Sequence, residues 1–162
     1  MFTGAGDLLA RDLASLAPDR QGPKPLLLRP LSDGGLWLRL VCQAPPVRGG
    51  TPTRIDYFYM PGLGSSGKLC RRAKATPWSW QEAGQAVSEP AQYEFLASNV
   101  ETVTIRCFDG ENWLEVWDPE RMQGLPRLVE LRMRAAGERS DHEFTTVVPV
   151  HVQQTLLEGN SP

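Results

Sequence analysis

Alternating apolar and polar residues predict a β-hairpin near the middle of the chain. Val100–Phe108 and Asn112–Trp117 both alternate, and Asp109-Gly110 lies between them. Glycine accepts the positive φ of a tight turn, so Asp-Gly between two alternating segments favours a hairpin. The alternation assigns to one face Val103, Ile105, Cys107, Leu114 and Val116, and to the other Arg106, Phe108, Trp113 and Trp117. Both faces are rich in apolar residues, so both need cover from the rest of the fold.

Further strands are predicted on either side of this hairpin. The segments are Leu26–Leu28, Leu36–Cys42, Arg54–Met60, Lys68–Arg72, Leu128–Ala135 and Glu143–Val152. Pro149 cannot donate a backbone hydrogen bond, which would confine the last strand to a sheet edge or a bulge. Thr76–Pro90 has the composition of a loop, and Ala91–Ser98 indicates a short helix or a turn that leads into the hairpin.

An amphipathic helix is predicted at the start of the chain, over Phe2–Leu16. Its apolar face carries Phe2, Leu9, Leu13 and Leu16, while Asp7, Arg11 and Asp12 lie away from that face. Pro18 ends the helix, because the residue before a proline is disfavoured in the helical region. No capping residue marks the start, as expected of a helix that continues upstream in a longer protein. One helix followed by many short strands predicts an α+β fold.

Length and charge narrow the class of protein. The 162 residues suit one domain, and 41% apolar with 22% charged residues favour a folded chain. A net charge of −2 argues against nucleic-acid binding, which needs a basic surface. The sequence has no apolar run long enough to span a bilayer and no charged-then-apolar signal segment.

Candidate chemistry is sparse. Cys42, Cys70 and Cys107 are too widely spaced for a zinc site, and His142 and His151 have no catalytic partner in a known motif. Cys42 and Cys107 are expected to be small buried hydrophobes, and a single disulfide with one free thiol is the alternative. We therefore predict no catalytic residue, no metal site and no cofactor.

Two further motifs invite a functional interpretation. Gly62–Lys68 contains half of a phosphate-binding loop, but Leu69 replaces the hydroxyl residue that binds magnesium, so a hairpin turn is favoured. Trp78 and Trp80 alternate within a loop, where they either anchor the loop or form a surface patch that contacts a partner.

Several segments, taken in order, resemble a known family. They are the helix end LLARDLASL, the strand RIDYFYM followed by GKLCRR, and the block FLASNVETVTIRCFDGENW with the later VWD and LPRLVELRMR. Together they resemble the J-type minor pseudopilin of bacterial type II secretion systems, over most of the chain from about Leu8 to Val152. Each motif is degenerate, and it is their order that is specific.

The resemblance implies a non-enzymatic structural subunit with a pilin-like fold, in which an N-terminal helix packs on two antiparallel sheets. Residues 1–17 would be the end of the pilin helix, 26–152 a β-rich head and 153–162 a flexible tail of a single domain. The family's helix binds the I-type and K-type minor pseudopilins in a tip complex. A membrane-anchored, processed and methylated N-terminus on the periplasmic side of the inner membrane belongs to the same plan.

By this resemblance, partner contacts are expected from the helix. Phe2, Leu9, Leu13 and Leu16 would pack on the protein's own sheet or on neighbouring pseudopilin helices, and Trp78 and Trp80 are further candidates. The leader, processing site and membrane-spanning half of that plan are not in this sequence, as expected of a fragment.

Two alternatives remain at this stage. Minor pilins of type IV pilus systems share the plan, and a secreted β-rich module could bind carbohydrate through Trp78 and Trp80. Polysaccharide binding that is lost on Trp78→Ala and Trp80→Ala would favour the carbohydrate-binding module.

Overall fold

The computed structural model describes residues 3–17, 25–42, 53–63, 67–75, 93–135 and 142–151. It contains one helix and eight strands in these ranges. They are α1 (Thr3–Ala14), β1 (Leu26–Pro30), β2 (Leu36–Cys42), β3 (Thr53–Met60), β4 (Gly67–Ala75), β5 (Glu94–Phe108), β6 (Trp113–Leu114), β7 (Leu128–Ala135) and β8 (Glu143–Pro149).

All eight strands form one antiparallel sheet. The order across it is β1-β2-β3-β4-β5-β7-β8, and β6 pairs with β5. Leu28 of β1 exchanges two backbone hydrogen bonds with Trp117, with N···O distances of 3.0 and 2.8 Å. This link connects the outer edge of β1 to the chain that follows β6, so the sheet curls into a half-barrel.

The predicted fold class is wrong. An α+β fold with a helix on two antiparallel sheets was expected, whereas the described chain is mostly β, with a single sheet and one short helix. The two expected sheets are joined because β4 pairs with β5, with Leu69 opposite Ala97. That pairing uses Glu94–Val100, which overlaps Ala91–Ser98, the segment predicted as a short helix or a turn.

The strand β5 reaches this length through local irregularity. Asn99 has a φ of +56°, a value that asparagine tolerates better than most residues, and the pairing of β5 with β7 shifts between Val100 and Thr102. Irregular backbone within a 15-residue strand breaks the simple alternation on which strand prediction depends. The sequence pattern therefore identified only the second half of β5.

The central hairpin is confirmed, but its second strand is short. Asp109–Asn112 form the loop, and Asp109 Oδ1 accepts backbone hydrogen bonds from Glu111 and Asn112, both at 2.7 Å. After Leu114 the chain leaves β5 and turns towards β1. The predicted faces are consequently wrong beyond this point, since Val116 is 48% exposed and Trp117 is buried.

All three cysteines are buried free thiols, which confirms the expectation for Cys42 and Cys107. Burial raises the pKa of the Cys107 thiol to about 12. Burial together with the nearby Asp12 carboxylate raises the pKa of Cys42 to about 12 as well. The Cys42 thiol also donates a hydrogen bond to the Asp12 backbone carbonyl, with an S···O distance of 3.2 Å.

These thiols should be chemically silent in the folded protein. At a pH of about 8 they stay protonated, and the thiolate is the reactive form, so we expect no reaction with Ellman's reagent until denaturant is added. Raised pKa values in the folded state also mean that their contribution to stability is complete below about pH 9. It is lost as the pH rises towards 12.

The check is a thiol count with and without denaturant, followed by urea unfolding across the alkaline range for wild type and Cys107→Ala. The variant should show the weaker alkaline loss. Rapid reaction of any cysteine in the native protein would contradict the expected burial.

Candidate functional site: the helix and its anchor on the sheet

The apolar face of α1 is buried within this protein. Leu9, Leu13 and Leu16 are at most 3% exposed and belong to the same hydrophobic core as the inner face of the sheet. The backbone of α1 lies closest to β2, β5 and β8, so the helix crosses the inner face of the curled sheet. Of the two positions that the resemblance allowed for these leucines, the structure places them on the protein's own sheet.

One glycine lets the helix approach the edge of the sheet closely. A Cβ atom at Gly6 would lie 2.9 Å from Phe144 Cζ and 3.2 Å from Thr146 Cγ2, both on β8. A larger residue at position 6 would therefore require either the Phe144 side chain or α1 to shift. At the other end, Ala17 N donates to the Val41 carbonyl at 2.8 Å, so both ends of the helical segment are held.

A buried carboxylate fixes the middle of the helix. Asp12 Oδ2 accepts a hydrogen bond from the Tyr57 hydroxyl of β3 at 2.6 Å and one from Arg71 Nε of β4 at 2.8 Å. Arg71 Nη2 also donates to Asp12 Oδ1 at 3.1 Å, which makes the pair bidentate. The prediction that Asp12 lies away from the apolar face is wrong, because the residue is only 4% exposed.

The electrostatics of this anchor set the protonation of Arg71 and Tyr57. The hydrogen bond to Asp12 raises the pKa of Arg71 above its usual value, although burial acts in the opposite direction. Burial, and then the Asp12 carboxylate, raises the pKa of the Tyr57 hydroxyl. At neutral pH Tyr57 is therefore a phenol that can donate, and Arg71 is a cation.

Helical spacing could have identified this residue. Asp12 follows Leu9 by three positions and precedes Leu16 by four, so it lies on the same stripe as the buried leucines. A carboxylate on an apolar stripe needs a partner, since an unpaired buried charge is costly. The partners Tyr57 and Arg71 are distant in sequence, and only the pairing of β3 with β4 brings them together.

A second buried carboxylate lies on the opposite face of β3. Asp56 accepts hydrogen bonds from Trp37 Nε1 at 3.0 Å, Arg39 Nε at 3.3 Å, Arg54 Nε at 2.7 Å and Arg72 Nη2 at 3.3 Å. Burial lowers the pKa of Arg39 to about 10, partly offset by attraction to Asp56. The cluster connects β2, β3 and β4 on the face away from α1, and it gives the charged positions of RIDYFYM and GKLCRR a structural role.

The outward face of α1 is what remains accessible. Gly4, Asp7, Arg11 and Ala14 are exposed, and Leu8 and Ala10 are partly buried. Small side chains on this face would let a second helix approach closely. The other predicted contact residues, Phe2, Trp78 and Trp80, lie outside the described residues.

The described residues can be compared with three features: a metal cluster, a phosphate-binding loop and a membrane-spanning helix. They include no group of three or more His, Cys, Asp or Glu side chains that could hold a metal ion. Lys68 is the second residue of strand β4, so Gly62–Lys68 is followed by a strand and not by the helix N-terminus of a phosphate-binding loop. No helix in the described ranges combines the length and apolar character needed to cross a bilayer.

The sequence matches the model of a known protein family. The family model described as Type II secretion system (T2SS), protein J, matches residues 65–146, which is half of the chain. The chain belongs to this family. It is therefore a J-type minor pseudopilin, a component of the type II secretion system, and the family is one of structural pseudopilin subunits. No curated protein matches the chain.

The matched region of this pseudopilin has a simple structural meaning. It runs from the start of β4 into β8 and so covers the long strand β5, the central hairpin and β7. It includes Arg71, one of the two partners of Asp12. The helix α1 and strands β1 to β3 lie before the match.

The anchor of α1 can be tested by substitution. Asp12→Asn should destabilise the protein by about 2–3 kcal/mol, because it leaves the largely buried Arg71 guanidinium with only the exposed Glu94 carboxylate, 3.6 Å away, as a counter-charge. Asp7→Asn, on the exposed face of the same helix, should change stability by less than about 0.5 kcal/mol. Urea unfolding measures both values.

A double-mutant cycle with Arg71→Met then isolates the pair. We expect the double variant to be less destabilised than the sum of the single variants, because neither charge is left alone. Equal effects of Asp12→Asn and Asp7→Asn would contradict the assigned role of Asp12.

Proposed function

We propose that this J-type pseudopilin is a non-enzymatic subunit of the pseudopilus tip. In this role it binds the I-type and K-type minor pseudopilins and supports protein export across the outer membrane. The observation that carries the proposal is the match to protein J of the type II secretion system over residues 65–146. The proposal also places the head in the periplasm, anchored in the inner membrane by a processed and methylated N-terminal helix.

The arrangement of α1 supports a docking role for the helix. Its inner face is buried in the protein's own core, and the anchor at Asp12 fixes the rotation of the helix on the sheet. Only the outward face, with Asp7, Arg11 and Ala14, can then contact a neighbouring subunit. We propose that this face packs against the helices of the other minor pseudopilins.

The predicted contact residues take different roles in this proposal. Leu9, Leu13 and Leu16 hold α1 on the sheet. Burial of each apolar side chain stabilises the fold by about 1.5–3 kcal/mol. Phe2, Trp78 and Trp80 stay candidates for direct contact with a partner. Substituting the buried leucines would damage the fold itself, so exposed positions give the sharper test.

The docking face can be tested at Ala14. Ala14→Trp places a bulky side chain on the exposed face of α1 and should abolish capture of the I-type and K-type pseudopilins from cells that express all three proteins. Ala14→Ser is the matched control and should keep capture. Both variants should unfold in urea within about 0.5 kcal/mol of wild type, because position 14 is exposed.

Arg11→Glu tests the same face of α1 at a second exposed position, and it should also reduce capture. Undiminished capture by both Ala14→Trp and Arg11→Glu would refute the proposed docking face. Absence of any pseudopilin in the wild-type capture would refute the tip-complex role itself.

A further inference from the structure

The long strand β5 is only partly paired along one of its two edges. On one edge β7 accompanies β5 from Val100 to Phe108. On the other edge β4 pairs with residues 94–100 and β6 pairs with residues 107–108. No strand of the described chain pairs with residues 101–106 on that second edge, which leaves a gap between β4 and β6.

Two backbone hydrogen bonds at the end of β5 fix which backbone groups face this gap. Asp109 N donates to Asn112 O at 3.1 Å on the β6 side, whereas Phe108 O accepts from Arg127 N at 2.8 Å on the β7 side. Successive residues of a strand direct their N–H and C=O groups to opposite edges. Counting back from Asp109, the N–H and C=O groups of Val103 and Ile105 therefore point into the gap.

A side chain of β3 reaches the β4 end of the gap. The Tyr59 hydroxyl donates to the carbonyl of Glu101 at 2.7 Å and lies 3.4 Å from the carbonyl of Val100. Both carbonyls are at the register shift of β5, at or next to the last residue that pairs with β4. Tyr59 thus closes one end of the gap, and β6 closes the other.

The gap opens into a cavity of about 180 Å³ between the β1–β2 hairpin and β5. Its walls are formed by Leu28, Pro30, Gly34, Gly35, Leu36, Val103, Thr104, Ile105 and Glu115. Leu28 already uses its backbone groups in the link to Trp117, and Pro30 has no N–H to donate. Neither Leu28 nor Pro30 on the β1 side of the cavity therefore has an N–H group to donate to β5.

The lining defines the chemistry of an occupant. Most of the lining residues have no polar side chain, and Glu115, which is exposed, is the single ionisable side chain among them. Val103 and Ile105 are two positions apart, so about three residues of extended chain, at about 3.3 Å each, would span their backbone groups. Aligned peptide donors and acceptors at strand spacing match another peptide backbone better than they match a compact small molecule.

We propose that this cleft binds an extended segment of a partner polypeptide, which adds a short strand to β5 beside Val103 and Ile105. An apolar side chain of the segment enters the cavity, and a neighbouring lysine or arginine pairs with Glu115. This binding mode is independent of the contacts made by the outward face of α1.

The probe is the peptide acetyl-Thr-Val-Lys-Val-Thr-amide, added to the ¹⁵N-labelled chain. Amide hydrogen exchange at Val103 and Ile105 should slow by about tenfold or more at saturation, because these N–H groups gain partners. Exchange at Thr104 and Arg106, which already pair with β7, should not change. A peptide whose backbone nitrogens are methylated at both valines cannot donate there and should not bind.

The proposed ion pair between Glu115 and the peptide lysine can be tested separately. Glu115→Gln should weaken binding of the lysine peptide by about two- to fivefold, the range of an exposed ion pair. It should leave binding of the same peptide with glutamine in place of lysine unchanged. Urea unfolding of Glu115→Gln should match wild type, since the side chain is exposed.

Three results would overturn the proposal. One is the absence of saturable binding at millimolar peptide. Another is equal binding of the methylated peptide, which would show that side chains alone are recognised. The third is slowed exchange at Val103 and Ile105 on raising the protein concentration without peptide, which would make a second copy of this chain the occupant.

Discussion

The ion pair between Asp12 and Arg71 is the interaction on which the described structure depends most. Apolar burial of the leucines on α1 supplies most of the attraction between helix and sheet, but it is non-directional and would tolerate rotation or sliding of the helix. A carboxylate held bidentately by Arg71 and by the Tyr57 hydroxyl permits one position only. The helix then presents a defined outward face, which the proposed docking role requires.

A second constraint is the closure of the sheet. Eight antiparallel strands with free edges would expose unpaired backbone, and curling the sheet until Leu28 meets Trp117 removes part of that exposure. The closure is incomplete because β6 ends at Leu114 and leaves β5 before reaching Val103. The open segment of β5 is thus a direct consequence of how the half-barrel closes. This open segment is where the proposed partner strand would pair with β5.

The sequence predicted local elements better than their assembly. Alternation located the central hairpin and most strands, and the order of motifs identified the family. The fold class failed because the pairing of β4 with β5 depends on Glu94–Val100, where a bulge and Asn99 obscure the alternation. Asp12 was predicted to lie away from the apolar face, although helical spacing puts it on the stripe of buried leucines. The reason for a carboxylate on that stripe is not visible in the sequence pattern, because its partners are distant in sequence.

The most direct test of the docking role uses the buried state of the native thiols. A single cysteine introduced by Arg11→Cys would be the one accessible thiol of the described chain and could be coupled to nearby amines by a bifunctional cross-linker in secreting cells. We expect a cross-link from position 11 to the I-type or K-type pseudopilin. We expect none from Glu120→Cys, because Glu120 is exposed in the loop after β6 and is not on α1. Cross-links to those subunits from position 120 but not from position 11 would contradict the docking role.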